Sequence, residues 1–221
     1  MVEVRSPGGV RLLGVDGCRG GWLAADDHGG LRLCRDFAEV LAGEAPGTRV
    51  AVDMPLGLPD EPGSRECDRL ARRLLGRRAC SVFNPPARRH LGARNFSEVS
   101  GLSLQGFHLL AKIRELDGWI TPELQESCAE AHPELAFLRL AGRPLPPKRS
   151  PEGREARLAL VPEARAHLEA RRWPRRLVAP DDILDAFALV RTARRMAEGT
   201  ALVLPDPPPR DARGLRMEIR Y

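Results

Sequence analysis

Two apolar runs in this chain end on a carboxylate. In 11-RLLGVDGCRGGWLAA-25 the run Leu12–Val15 meets Asp16, and in 49-RVAVDMPLGLP-59 the run Val50–Val52 meets Asp53. Turn chemistry accounts for a single Asp beside Gly, because the side chain caps nearby N–H groups. Gly17, Gly20 and Gly21 would supply the positive φ of a tight connection. Two acids placed alike ask for a second account, and further acids join them. Glu130 lies in 124-LQESCAEAHPEL-135, and Asp181, Asp182 and Asp185 open 181-DDILDAFALVRTARRMAEG-199. Brought together, such carboxylates repel, and several would take up protons. Divalent cations remove the conflict, since Mg²⁺ and Mn²⁺ prefer oxygen ligands. Two such ions roughly 3.5–4 Å apart can activate water and stabilise the leaving oxygen of a phosphodiester.

Each acid also has a plainer reading. Asp182 and Asp185 stand at i, i+3 and Asp181 and Asp185 at i, i+4, so each pair shares a helix face. Capping and dipole complementation, about 0.3–1 kcal/mol each, account for Asp181 and Asp182. They account less well for Asp185, which sits between Leu184 and Ala186 on a helix that reads as buried. With period 2, Cys128, Glu130 and His132 share one strand face and Ala129 and Ala131 the other. His132 could pass a proton to a leaving group, or could be bonded locally beside Pro133. Zinc on the Cys128, Glu130 and His132 face lacks a fourth ligand at suitable spacing.

The elements that must position these residues follow from periodicity and turn signals. Residues 11–16, 20–26 and 31–37 read as strands, and 26-DDHGG-30 is a hairpin signal. The short GCRGG link makes the first pair antiparallel too, so the chain opens with a meander. A short helix is expected over 37–42, and a strand over 49–54 stopped by Pro55, Gly57 and Pro59. Residues 60–120 are mostly helical and basic, with a helix in 104–120. Residues 124–135 read as the fifth strand, 133–141 as a helix with Pro at its first position, and 142–153 as a long loop. A charged helical segment over 154–172 breaks at Pro162. The last main helix spans 181–199, with Asp181 or Asp182 as N-cap and Gly199 as C-cap. The Pro-rich tail ends in one more strand. There is no internal repeat or convincing linker, so a single domain over 1–221 is expected, with a helical insertion at about 60–120.

Composition narrows the class. The chain has 221 residues, 43% of them apolar, enough for a sizeable core. Five cysteines without a C-x-x-C pair argue against a disulfide framework. The apolar runs are too short to span a bilayer, and the opening MVEVRSPGG has no apolar signal region. A cytoplasmic protein with no membrane partner is therefore expected. The net charge is +5, which permits a polyanionic partner. Basic residues bunch at 69-RLARRLLGRR-78, 88-RRH-90 and 171-RRWPRR-176, for which a solvated helix face is the ordinary reading. Only Lys112 and Lys148 are lysines among 35 basic residues, which makes them candidates for places where an ammonium is needed.

The order of elements is that of a ribonuclease H-like α/β fold: a mixed five-stranded sheet flanked by helices. More narrowly, GVDGCRGGW, AVDMPLGLP, the R-x-C-D-x-x-A-R-x-x-L-G-x-R stretch at 65–78, SVFNPPAR, KIRELD, EAHPELAF and DDILDAFAL resemble family 429 of the domains of unknown function. Its members are described as predicted ribonuclease H-like nucleases, and the resemblance runs from about residue 11 to the end. It implies a nuclease using Mg²⁺ or Mn²⁺, with metal acids on Asp16, Asp53, Glu130 and Asp182 or Asp185. It also implies that Arg19, Arg65, Lys112, Lys148 and Arg154 meet phosphates, with His132 beside them. Well-studied ribonucleases H carry a Glu at the start of their first helix. This chain offers only Glu39, past that start, so Glu130 would stand in.

Two other functions fit part of the pattern. The turn 16-DGCRGG-21 resembles the phosphate turn of actin-like ATP-binding phosphotransferases, which normally close two such domains on a nucleotide. A non-catalytic nucleic-acid-binding module would suit the basic clusters, although aromatic residues are only 5% of the chain and stacking platforms are correspondingly scarce. The expected partner is a nucleic acid of unspecified type, with a homodimer allowed.

Overall fold

The structure is a computed structural model that describes residues 10–221. The stretch MVEVRSPGG, read above for a leader, lies outside the described residues. Five strands form the main sheet: β1 (Leu12–Cys18), β2 (Gly21–Asp26), β3 (Leu31–Cys34), β4 (Arg49–Asp53) and β5 (Cys128–Glu130). Their order is β3-β2-β1-β4-β5. β1, β2 and β3 form the antiparallel meander, whereas β4 and β5 run parallel to β1. This mixed sheet flanked by helices is the architecture expected from the sequence. At the β2–β3 turn the Asp26 carboxylate accepts from the His28 and Gly30 N–H groups at 2.9 and 2.8 Å, and Gly29 takes φ +83.

Alternation along β1 and β4 sorts side chains onto two faces. Leu13, Val15, Val50 and Val52 pack beneath α1 (Phe37–Leu41) and α3 (Leu104–Trp119), which contribute Phe37, Val40, Ile113 and Leu116. Residues 60–120 thus supply, through α3, the layer that covers this face. They also hold α2 (Glu66–Leu75), which packs against Leu135, Ile219 and Tyr221. The other face, with Leu12 and Ala51, is covered by α4 (Pro133–Ala141), α5 (Pro151–Leu160), α6 (Ala164–Ala170) and the long α7 (Pro180–Glu198). No helix among the described residues is long and apolar enough to cross a membrane.

Several boundaries differ from the sequence reading: β3 stops at Cys34 and α5 already starts at Pro151, and three further differences bear on the site and the tail. The fifth strand is only Cys128–Glu130, because residues 124–126 coil into a 3₁₀ turn and Pro133 already starts α4. The N-cap of α7 is Ala179, not Asp181 or Asp182, because Pro180 takes the first helical position. Asp182 then reaches back, accepting the Ala179 N–H at 2.7 Å. The tail holds two strands rather than one: β6 (Val203–Leu204) and β7 (Ile219–Arg220) pair antiparallel.

α7 lies directly on β1, and Gly14 permits it. A Cβ at Gly14 would overlap the Ala186 carbonyl oxygen and the Val190 nitrogen and lie 2.8 Å from the Leu189 carbonyl carbon. These are backbone atoms and cannot rotate away. Gly14→Ala is therefore expected to cost about 3 kcal/mol or more, the upper range for overpacking. Gly118→Ala, where nothing lies within 4 Å, should instead stabilise by about 0.5–1 kcal/mol. Chemical denaturation of both variants checks this; equal effects would show that the helix is free to shift.

Candidate functional site

β1 and β4 deliver the first two acids together. In their parallel register Asp16 is the direct partner of Asp53, so neighbouring strands, roughly 4.8 Å apart, end on adjacent carboxylates. By alternation both belong to the face under α7, following Gly14 and Ala51. The seating of α7 on Gly14 then brings Asp185 over them, one turn into the helix. Asp16 and Asp185 are each only 7% exposed. Asp16, Asp53, Asp182 and Asp185 line one cleft of about 550 Å³, together with Arg78, His132, Glu134, Lys148 and Arg149.

Burial sets the electrostatics. Asp53 is pushed up to about 8, first by burial and then by the Asp185 charge, against the pull of Lys148. Asp185 is raised to about 6 by burial, again opposed by Lys148. Asp16 stands well above the carboxylate range, through burial and then the charges of Asp53, Asp185 and Asp182. The counter-charge is the Lys148 ammonium, 3.2 Å from an Asp185 oxygen and 3.9 Å from Asp181. Asp185 above all raises the Lys148 pKa. Among the described residues no three His, Cys, Asp or Glu side chains are gathered at metal-ligand spacing. The donor set is nevertheless all carboxylate oxygen, the chemistry that suits Mg²⁺ or Mn²⁺.

The loop carrying Lys148 is clamped. Arg157, 1% exposed, donates to both Glu134 oxygens at 2.9 Å and to the Pro146 carbonyl at 2.9 Å. Arg78 adds 2.8 Å to the same Glu134 carboxylate. Burial alone would raise Glu134, but Arg157 and Arg78 hold it below its ordinary value. Gly153 lets the loop lie against α5, since a Cβ there would come within 2.8 Å of the Pro146 oxygen. Glu134 and Arg157 were missed in the sequence: an acid after Pro133 reads as a helix-dipole partner, and one arginine in a charged helix carries no mark of burial.

Several expected site residues are engaged elsewhere. Glu130 is the main correction. It pairs with Val52 in the β4–β5 register, which puts it on the face opposite Asp16 and Asp53. There Leu56 N–H donates to it at 2.7 Å and Arg65 grips both its oxygens, at 2.5 and 2.8 Å. Arg65 also binds Asp68 and the Leu56 and Gly57 carbonyls, so no donor is left for a phosphate. Cys128, which shares that face, is buried in the core, and the three residues read for zinc are not gathered at metal-ligand spacing. His132 is the N-cap of α4: its Nδ1 accepts from Glu134 N–H at 3.2 Å, and its Nε2 lies 3.3 Å from the Ser81 carbonyl oxygen. Burial lowers its pKa, consistent with a neutral ring. Lys112 is turned toward α3's own packing, donating to the Gly21 carbonyl at 2.7 Å with its ammonium 4.9 Å from the Trp22 ring centre. Arg19 is exposed on the β1–β2 turn; burial raises the Asp182 carboxyl, opposed first by the Ala179 N–H and Lys148 and last by Arg19. Arg154 lines a different cleft.

A carboxyl whose folded pKa lies above its ordinary 3.8 binds protons more tightly folded than unfolded. The Asp53 contribution therefore turns against stability as pH rises from 3.8 to about 8. Asp53→Asn should raise the metal-free melting temperature at pH 8 and flatten its decline across that window. Thermal melts of both proteins in chelator check this, and a less stable Asn variant at pH 8 would contradict it.

Searches of the curated proteins and of the solved structures gave no match. The model of the family described as Protein of unknown function (DUF429) matches residues 14–210. That span holds every carboxylate of the cleft together with Lys148, and the chain belongs to this family.

Proposed function

We propose that the protein is a metal-dependent nuclease, hydrolysing phosphodiester bonds of nucleic acid in the cytoplasm. One observation carries the reading: three carboxylates, buried Asp16 and Asp185 and half-buried Asp53, come from two adjacent parallel strand ends and the helix seated on them, and face one cleft. Folding does not require such a cluster, since burial raises all three, and repulsion within the trio raises Asp16 and Asp53 further. Asp16, Asp53 and Asp185 would hold Mg²⁺ or Mn²⁺. When bound, the ions supply activated water and stabilise charge on the leaving oxygen.

The remaining groups have roles that follow from their bonds. Asp182 fixes the start of α7 through Ala179 N–H and so sets where Asp185 stands. Lys148, held by the clamped loop, supplies positive charge at the cleft and can meet a phosphate oxygen. Arg149 and Arg19 are exposed at and near the cleft and can orient the substrate backbone. Neutral His132 faces the cleft with its ring fixed by α4, and Glu130 with Arg65 ties β5 to residues 56–68 behind it.

Asp16→Asn and Asp53→Asn should each lower Mn²⁺-dependent cleavage of labelled DNA and RNA by at least about 100-fold. That exceeds the 10–100-fold typical of changes one shell further out. Asp182→Ala should behave differently, costing about 0.5–2 kcal/mol of metal-free stability through the lost capping bond. Undiminished cleavage in both Asn variants would refute the carboxylate assignment.

Lys148→Met separates two roles of the ammonium. Without this cation the metal-free carboxylates repel unopposed, so the variant should melt lower in chelator. Mn²⁺ should bind it more tightly by calorimetry, because a competing charge has gone. Weaker Mn²⁺ binding would show that Lys148 organises the acids rather than neutralising them.

A further inference from the structure

A second cleft, of about 650 Å³, opens on the far side of the first turn of α7. That volume falls in the range of small-ligand sites, roughly 300–1,000 Å³. Its charged rim is entirely basic: Arg154, Arg171, Arg172 and Arg175 line it, and no Asp or Glu does. All four arginines are exposed. None of the four makes a side-chain hydrogen bond or ion pair among the described residues. Members of the other basic clusters are bonded within the fold. Arg88 is spent on Asp117 and Asp211, Arg78 on Glu134, and Arg72 on the Val82 carbonyl. The 171-RRWPRR-176 segment keeps its charge available beside this cleft.

The cleft is also built for a flat apolar group. Trp173 is half-buried in its lining, with the Arg172 guanidinium 5.0 Å from its ring centre. Val178 and Ile183 are buried beside it. His167 is anchored: its ring stacks on Phe187 with centroids 5.5 Å apart, and Nε2 donates to the Gly29 carbonyl at 2.8 Å. Arg171 ends α6 at φ +45, a left-handed turn that swings the chain from the helix to the Trp173 side.

Position links this cleft to the carboxylates. Pro180 and Ile183 of α7 line it, while Asp182 and Asp185 of the same two turns line the acidic cleft. The β1–β2 turn joins the two regions, since Gly20 N–H donates to the Leu177 carbonyl at 2.9 Å. Its Arg19 acts on Asp182 from that turn.

We propose that this cleft seats a single-stranded segment of nucleic acid, with the arginines on its phosphates and Trp173 stacked on a base. The inference rests on the nuclease reading, and names the form of substrate that the site accepts. A recessed indole can meet a base only when the base is out of its duplex stack. Free guanidiniums supply the sequence-independent attraction to phosphate.

The test is fluorescence anisotropy of labelled oligothymidylate and oligouridylate in chelator, across a salt series. Arg172→Ala with Arg175→Ala should weaken binding at least tenfold and reduce the slope of log K against log salt by about 1.4, two phosphate contacts on a single strand. Trp173→Ala should weaken binding about tenfold while Trp173→Phe restores most of it. A matched duplex should bind more weakly than the single strand. The inference is overturned if the parent binds neither oligonucleotide or if the arginine variant binds like the parent. Tighter binding of the duplex, or binding to phosphatidylserine vesicles in place of oligonucleotides, overturns it too. Mn²⁺-dependent hydrolysis of bis(p-nitrophenyl) phosphate by the parent separates the two claims. If it persists while the cleft variants change nothing, the cleft assignment falls and the nuclease reading stands. If it is absent while the cleft variants lose oligonucleotide binding, the cleft assignment stands and the nuclease reading falls.

Discussion

Two backbones meet where β1 at Gly14 lies against α7 from Ala186 to Val190, with no room for a side chain between them. Everything that gives the site its geometry depends on it. Asp16 lies two residues beyond Gly14 on the same face of β1, and Asp185 lies one residue before Ala186. A side chain at position 14 would lift the helix and draw the third carboxylate away from the first two. Burial of Phe187 and Leu184, about 1.5–3 kcal/mol each, presses the helix down. Repulsion among the acids pushes the other way.

That opposition is managed by a single movable cation on a fixed support. The Lys148 ammonium has a flexible stem, but the loop that bears it is tied by the buried Arg157–Glu134 pair. Removing one partner of such a pair typically costs about 3–5 kcal/mol, because it strands the other charge. Two of the fold's most buried ionic clusters flank the site. On one side is the Glu134 clamp, and behind the sheet is the Arg65 knot with Glu130 and Asp68.

The sequence made the strand ends legible because apolar alternation and Gly or Pro stops are local signals. Asp16 and Asp53 could be paired on paper because the meander and the parallel fourth strand fix their register. Glu130 could not be placed, since its face depends on the parity of a three-residue strand against β4. A shift of one residue would have reversed it. The same holds for the Arg65 grip on Glu130, 65 residues away, which leaves no local trace. Asp182 shows the limit of cap reading: Pro180 at the first turn moved the cap outward to an alanine, and the acid bonded backward instead. Basic clusters were visible from composition, but which of them remained unpaired was a property of the tertiary structure.

The C-terminal segment has a further consequence. β7 continues past the end of β5, where Arg220 bridges to Ala131, and Arg216 donates to the Gln125 carbonyl and the Glu126 carboxylate. β5 is the last strand of the sheet on that side, and a bare outer strand is a template for pairing with another chain. The tail therefore acts as a selvedge, finishing the border of the sheet next to its catalytic candidates.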